Sequence, residues 1–223
     1  MKFFTNIAKI LSQHWKLFFI TGVSKTLELA AITVVFGAIL GVLLCVGRMS
    51  KFKPLNWVLT AIVEIIRGTP MLLQLYIGYF LVPQILPFNV SEFLSIAIAL
   101  CINSGCYQSE VFRSGIQAVD KGQTEAARSL GLSQKQTMNK IILPQAVKNI
   151  LPALGNEFIM IVKDTSLAST FFIGDVMTSV AIVKGKTFLQ MECLTIAGII
   201  YFVLSFILSK GLGAFERRLK AHD

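Results

Sequence analysis

Residues 26–47 form an apolar run broken by one charged side chain, Glu28. About 20 apolar residues suffice to cross a bilayer, and a backbone in lipid must close its own hydrogen bonds, which a helix does. Further runs of this kind fall at 55–82, 91–113, 150–173 and 191–213. Composition agrees: the chain is 54% hydrophobic and 15% charged, with mean hydropathy +0.69. Soluble domains carry about 25% charged residues. A soluble chain of 223 residues could bury one good core without needing this much apolar sequence. The expected fold is therefore all-α: one polytopic membrane domain, residues 1–223, with five transmembrane helices.

The ends of these spans carry the topological information. The connection after the first span holds Arg48, Lys51 and Lys53. Residues 114–148 and the adjoining helix end hold Arg113, Lys121, Arg128, Lys135, Lys140 and Lys148. The C-terminal stretch holds Lys210, Arg217, Arg218 and Lys220. With five spans, these thirteen of the 21 basic residues share one side, while the opposite connections carry only Lys184 and Lys186. Basic residues mark the cytoplasmic side, so the C-terminus is expected inside and the N-terminus outside. Lys2, Lys9, Lys16 and Lys25 run against that trend. Residues 3–20 accommodate them as an N-terminal interfacial helix, with Asn6, Lys9, Gln13 and Lys16 at helical spacing between apolar positions. No small-residue cleavage site follows a short core there, so this segment does not read as a cleavable signal.

Several function classes find no support in the residues. The net charge of +9 fits membrane topology better than nucleic-acid binding. Cys45, Cys101, Cys106 and Cys193 lie in apolar segments, and His14 and His222 stand near the chain ends, so no metal site is expected. Ser104 and Ser166 have no histidine near them in sequence, and no paired acid and base stands out as catalytic. Gly185-Lys186-Thr187 looks like the tail of a phosphate loop, but Val180 occupies the position of its first glycine and no strand precedes it. The chain is therefore expected to bind no cofactor and no ATP of its own.

Residues 114–148 are the one long polar insertion. A first helix at about 121–130 is expected to stop at Gly131, which can take the left-handed conformation. Ser133 can cap a second helix, with Gln136 three residues on completing a capping box. Pro144 is expected to end or bend that helix. Glu125 sits early in the first helix, and Ala126 and Ala127 are small enough to lie beneath another surface. An ordinary helical hairpin would carry the same local signals.

Positions 125–144 carry more than local structure. Glu125-Ala126-Ala127, three residues, Gly131, nine residues and Ile141-Ile142-Leu143-Pro144 resemble, without a gap, the cytoplasmic coupling-helix loop of permease subunits of bacterial ATP-binding-cassette importers. Glu64-Ile65-Ile66-Arg67-Gly68-Thr69-Pro70, Asn103-Ser104-Gly105-Cys106-Tyr107 and Lys163-Asp164-Thr165-Ser166-Leu167 resemble recurrent segments of the polar amino-acid subfamily. The resemblance implies the type I importer fold in a bacterial inner membrane. It implies a non-catalytic permease with two ATPase subunits as partners, coupled through this EAA loop at about 118–148. It also implies a second permease, identical or related, and a substrate-binding protein outside. The ATP would be bound by the ATPases. A passive channel or ion-coupled carrier is the competing class, and would give Gly131 no special role.

Polar residues inside spans are the remaining signal, because each ionisable group at mid-bilayer costs about 2.5–3.5 kcal/mol on insertion scales. Glu64 and Arg67, and Glu110 and Arg113, have the spacing of ion pairs on one helix face. Asp164 either pairs with a neighbouring span or faces the substrate path, where it would meet an ammonium or a basic side chain. Asn103 and Ser104 are candidate path-lining donors. Gly37 and Gly41, four apart, could admit close helix packing.

Overall fold

A computed structural model describes residues 2–220, the last two by backbone alone; residues 221–223, His222 among them, lie outside the described residues. Among the described residues the chain is all-α. In order, the helices are α1 Lys2–Trp15, α2 Val23–Arg48, α3 Lys53–Gly68, α4 Met71–Ile85, α5 Glu92–Gln117, α6 Lys121–Ser129, α7 Gln134–Thr137, α8 Leu143–Asp164, α9 Val176–Thr187 and α10 Gln190–Lys220. π-Helical stretches link α1 to α2 and α7 to α8, and a 3-10 turn, Thr165–Phe171, follows α8.

Cross-contacts fix the helix directions. Arg48 at the end of α2 bonds Glu110 near the end of α5, while Lys25 near the start of α2 lies 4.9 Å from the ring centre of Phe93 at the start of α5. These two helices are parallel. A Cβ added at Gly115, late in α5, would meet Ile150, early in α8, so α8 runs the other way. Leu204 and Leu208 of α10 pack near Ile161 and Val162, and Leu212 packs on Gly155, which makes α10 antiparallel to α8. The stretches 48–53, 113–148 and the end of α10 therefore gather at one end of the bundle.

Lys2–Arg48 and Gln190–Arg218 are each long and apolar enough to cross a membrane. Lys53–Gly68 with Met71–Ile85, and Gln134–Phe171 with Val176–Thr187, qualify as bent pairs. α5, with 26 residues, is long enough, but its second half is polar. That half is central: Ser104, Gln108 and Ser109 are buried against neighbouring helices rather than facing lipid. α2 approaches it closely because Gly37 and Gly41 carry no Cβ. One at Gly37 would lie 2.8 Å from Ser104 Oγ, and one at Gly41 would lie 3.0 Å from Gln108 Cβ. The Gly37-x-x-x-Gly41 spacing is thus a packing seam.

Three expectations need correction. Residues 3–20 do not form a separate helix but continue through the π-stretch into α2. Ile10 and Phe18 are buried in a cluster with Val176, Val180, Ile196 and Ile200 of α9 and α10, which ties the segment to the bundle. The run 55–82 is not one continuous helix but two, α3 and α4, which meet at 111° at Pro70. Pro70 forces the preceding Thr69 out of the helical region, to φ −111° and ψ 151°. Gln74 then bonds the freed carbonyls of Ile66 and Thr69 at 2.6 and 3.1 Å, fixing the joint. Finally, Pro144 does not end the second helix of the insertion. It stands in the first turn of α8, preceded by the π-stretch Met138–Ile142, so its missing N–H is accommodated and helix continues from Gln134 to Phe171.

Candidate functional site: an exposed corner joined to a polar cavity

The corner is built by local chemistry. The Asp120 side chain caps α6 by accepting from the Gly122 N–H at 2.8 Å. At the other end Gly131 adopts φ +84°. The Leu132 N–H donates to the Ala127 carbonyl at 3.1 Å and the Gly131 N–H to the Arg128 carbonyl at 3.0 Å. These two bonds define a Schellman motif. Arg128 Nη1 donates to the Leu132 carbonyl at 2.7 Å, bracing the turn. Ser133 and Gln136 form the expected capping box at the start of α7.

The four residues singled out from the motif divide at this corner. Glu125, Ala126 and Gly131 are exposed, whereas Ala127 is buried. A Cβ at Gly131 would meet nothing within 4 Å, so the position faces open space. Leu130, which sequence reasoning passed over, is 81% exposed at the tip. The result is a small, rigid knob with one leucine, one alanine and a carboxylate facing outward.

The cavity lies deeper in the bundle. It measures about 120 Å³ and is lined by Thr33 of α2, Thr69 and Met71 at the α3–α4 joint, Asn103, Ser104 and Tyr107 of α5, and Glu157 and Asp164 of α8, among others. The structure thus brings together all three candidates, Asn103, Ser104 and Asp164. Asn103 Nδ2 donates to Gln74 Oε1 at 2.7 Å, linking the cavity wall to the joint. Ser104 is more constrained: its hydroxyl accepts from Gln108 Nε2 at 2.7 Å, and it fills the space opposite Gly37. Asp164 forms no ion pair among the described residues, and its neighbour Lys163 is exposed. Glu157 is the residue the sequence reading missed as a partner for Asp164. Seven residues separate them, two turns of one helix face, and that spacing was readable.

The charged pairs differ from expectation in one case. Glu110 and Arg113 do pair, and Arg48 joins them from α2. Glu64 and Arg67 do not form an ion pair, and both are exposed. Arg67 instead lies 5.3 Å from the ring centre of Tyr107, whose hydroxyl donates to the Arg67 carbonyl at 3.4 Å. A ring on a neighbouring helix gives the guanidinium a stacking surface, which one exposed ion pair at this spacing, worth about 0.3–0.5 kcal/mol, does not outweigh.

The bundle is all-α, with a polar interior and a helical corner protruding at its basic end. Residues 33–221 match the family of binding-protein-dependent transport system inner membrane components, and the chain belongs to that family. It is 41% identical over 206 residues to the arginine transport system permease protein ArtQ of Bacillus subtilis (strain 168), covering 92% of this chain and 94% of that protein. It is 39% identical to the L-cystine transport system permease protein TcyB of the same organism, covering 89% and 85%. It is also 39% identical to the putative glutamine transport system permease protein GlnP of Rickettsia bellii (strain RML369-C), covering 91% and 93%. Among solved structures, an amino acid ABC transporter with histidines superposes with a TM-score of 0.88 at 40% identity, covering 93% of this chain and 96% of that one.

Proposed function

We propose that this chain is the permease subunit of an ATP-driven importer for polar amino acids. It is read as five transmembrane helices in the bacterial inner membrane, with the basic end of the bundle in the cytoplasm. The N-terminus then lies outside, with Lys9 and Trp15 of α1 and Lys16 of the π-stretch at the outer interface, and the C-terminus inside. The chain is non-catalytic. Two ATPase subunits bind ATP and grip the corner formed by Glu125, Ala126, Leu130 and Gly131. A second permease completes the path, and an extracytoplasmic binding protein delivers substrate.

The observation that carries this reading is the helical run Gln134–Phe171. The exposed corner adjoins one end, and Glu157 and Asp164 line the cavity further along it. A displacement of the corner is therefore transmitted through a stiff element to the polar cavity. The carboxylates favour a substrate with a positive charge: an ammonium group, and best a second cationic group on the side chain. Relatives named for arginine, cystine and glutamine support the amino-acid class. The test is ATP-dependent uptake by the chain reconstituted with its ATPase and binding protein. Cationic amino acids should be taken up only with ATP, and uptake that persists without ATPase would favour a passive carrier.

A further inference from the structure

Two arginines share one carboxylate at the basic end of the bundle. Arg48 Nη1 donates to Glu110 Oε2 at 2.7 Å, and Arg113 Nε donates to Glu110 Oε1 at 3.0 Å. One positive charge is left over. Arg48 directs its remaining bonds to Thr60 Oγ1 and Ser109 Oγ, both at the long distance of 3.4 Å. Arg48 Nη2 has no partner among the described residues.

A cleft of about 400 Å³ opens beside this group, lined by Arg48, Met49, Asn56, Thr60, Arg113 and Gln117. None of the lining residues is acidic. The side chain of Arg48 is 10% exposed and that of Arg113 33%, so both guanidinium groups form part of the wall rather than waving free in solvent. A planar guanidinium held in this way suits an anion with several acceptor oxygens, such as a phosphate.

The surroundings identify the source of that anion. On α3, next to the lining residues Asn56 and Thr60, the apolar side chains of Leu55, Trp57 and Val58 are exposed, and Trp57 is 78% exposed. Lys51, Phe52 and Lys53 precede them, all exposed. Tryptophan and lysine at the end of an apolar helix mark headgroup depth. A soluble anion would make no use of the apolar wall, whereas a phospholipid presents phosphate and acyl chains together. We propose that the cleft between α2, α3 and α5 binds the phosphate of an anionic phospholipid, whose acyl chains lie along the exposed face of α3. Basic pockets between transmembrane helices recognise headgroups in this way. The proposal needs only that the chain sits in a bilayer, and does not depend on the transport reading.

The test uses the full chain, delipidated in detergent, with thermal unfolding and native mass spectrometry read against added phosphatidylglycerol, phosphatidylcholine or inorganic phosphate. Phosphatidylglycerol should bind and raise the melting temperature more than phosphatidylcholine. Gln117→Glu places a carboxylate at the rim and leaves the Arg48–Glu110 pair intact. It should weaken phosphatidylglycerol binding about fivefold, the value of one charge near a headgroup; because Gln117 Oε1 already accepts from Arg113 Nη1 at 2.8 Å, it should not lower the lipid-free melting temperature. Arg48→Gln should abolish the preference for the anionic lipid. Equal binding of the two lipids, or an unchanged preference in Gln117→Glu, would overturn the proposal. Inorganic phosphate protecting as well as phosphatidylglycerol at equal concentration would also overturn it, by assigning the cleft to a soluble anion.

Discussion

Across Gly131, the backbone N–H of Leu132 donates to the carbonyl of Ala127 at 3.1 Å. That bond turns α6 back on itself and aims Leu130 away from the bundle. It requires the left-handed conformation that Gly131 adopts at φ +84°.

Substitutions at Gly131 therefore cost conformation rather than space, since a Cβ there meets nothing within 4 Å. A left-handed L-residue costs about 1–2 kcal/mol, with asparagine least affected and a β-branched residue most. ATP-dependent uptake should fall in the order Gly131→Asn, Gly131→Ala, Gly131→Val, with membrane insertion unchanged. Full activity in Gly131→Val would show that the corner's geometry is dispensable.

Glu157 and Asp164 are expected to set substrate charge. Asp164→Asn and Glu157→Gln should each raise the KM for a cationic amino acid by about tenfold, the size of one modest charge interaction of about 1.4 kcal/mol, and affect a neutral amino acid less. Uptake kinetics in proteoliposomes give the comparison. An unchanged KM for the cationic substrate in the double variant would remove both residues from the path.

Glu110 and Glu64 should contribute unequally to stability. Glu110→Gln withdraws a charged acceptor from two arginines, and hydrogen bonds to charged groups are worth about 1.5–3 kcal/mol. The side chain of Glu110 is 22% exposed, which places the loss towards the lower figure. Glu64 is exposed and makes no ion pair among the described residues, so Glu64→Gln should change stability by less than about 0.5 kcal/mol. Melting temperatures in detergent measure both. Equal shifts would contradict the arrangement of charges described above.

The joint between α3 and α4 depends on Gln74, which donates to the Ile66 and Thr69 carbonyls and accepts from Asn103. Gln74→Leu takes a donor from both carbonyls: that of Ile66 keeps the Thr69 hydroxyl at 3.3 Å, while that of Thr69 is left unmet, at about 1–3 kcal/mol for a buried unsatisfied group. It should lower the melting temperature and, through Asn103, alter substrate KM. A change in stability alone would confine Gln74 to a structural role.

Features that depend on neighbours in sequence were legible before the fold was known. Gly131 as a helix stop, the Ser133–Gln136 capping box and the Glu110–Arg113 pair all follow from spacing over a few residues. Features set by distant partners were not. Arg67 has the spacing to pair with Glu64, but Tyr107, forty residues on, supplies its stacking surface. Arg48 reaches Glu110 across 62 residues. Ala127 belongs to the same motif as Glu125 yet turns inward, because the Schellman bond folds Leu132 back towards it. Pro144 carries a strong breaking signal, and only the preceding π-stretch lets helix run on to the cavity. The polar half of α5 was legible as unusual for a span, but its explanation, burial at the centre of the bundle, needed the packing of Gly37 and Gly41.

The most direct measurement of the coupling role is site-specific cross-linking from the corner. Cys45, Cys106 and Cys193 are buried and Cys101 is half-buried, so a thiol in Leu130→Cys would be the most accessible one. A photoactivatable thiol reagent attached there, in membranes containing the co-expressed ATPase, should give a permease–ATPase adduct whose yield changes when ATP is added. The same reagent on Phe188→Cys, exposed between α9 and α10 at the opposite end of the bundle, should give none. An assembled, transporting complex in which Leu130→Cys yields no ATPase adduct, or is labelled from outside sealed cells by an impermeant thiol reagent, would contradict the coupling role of the corner.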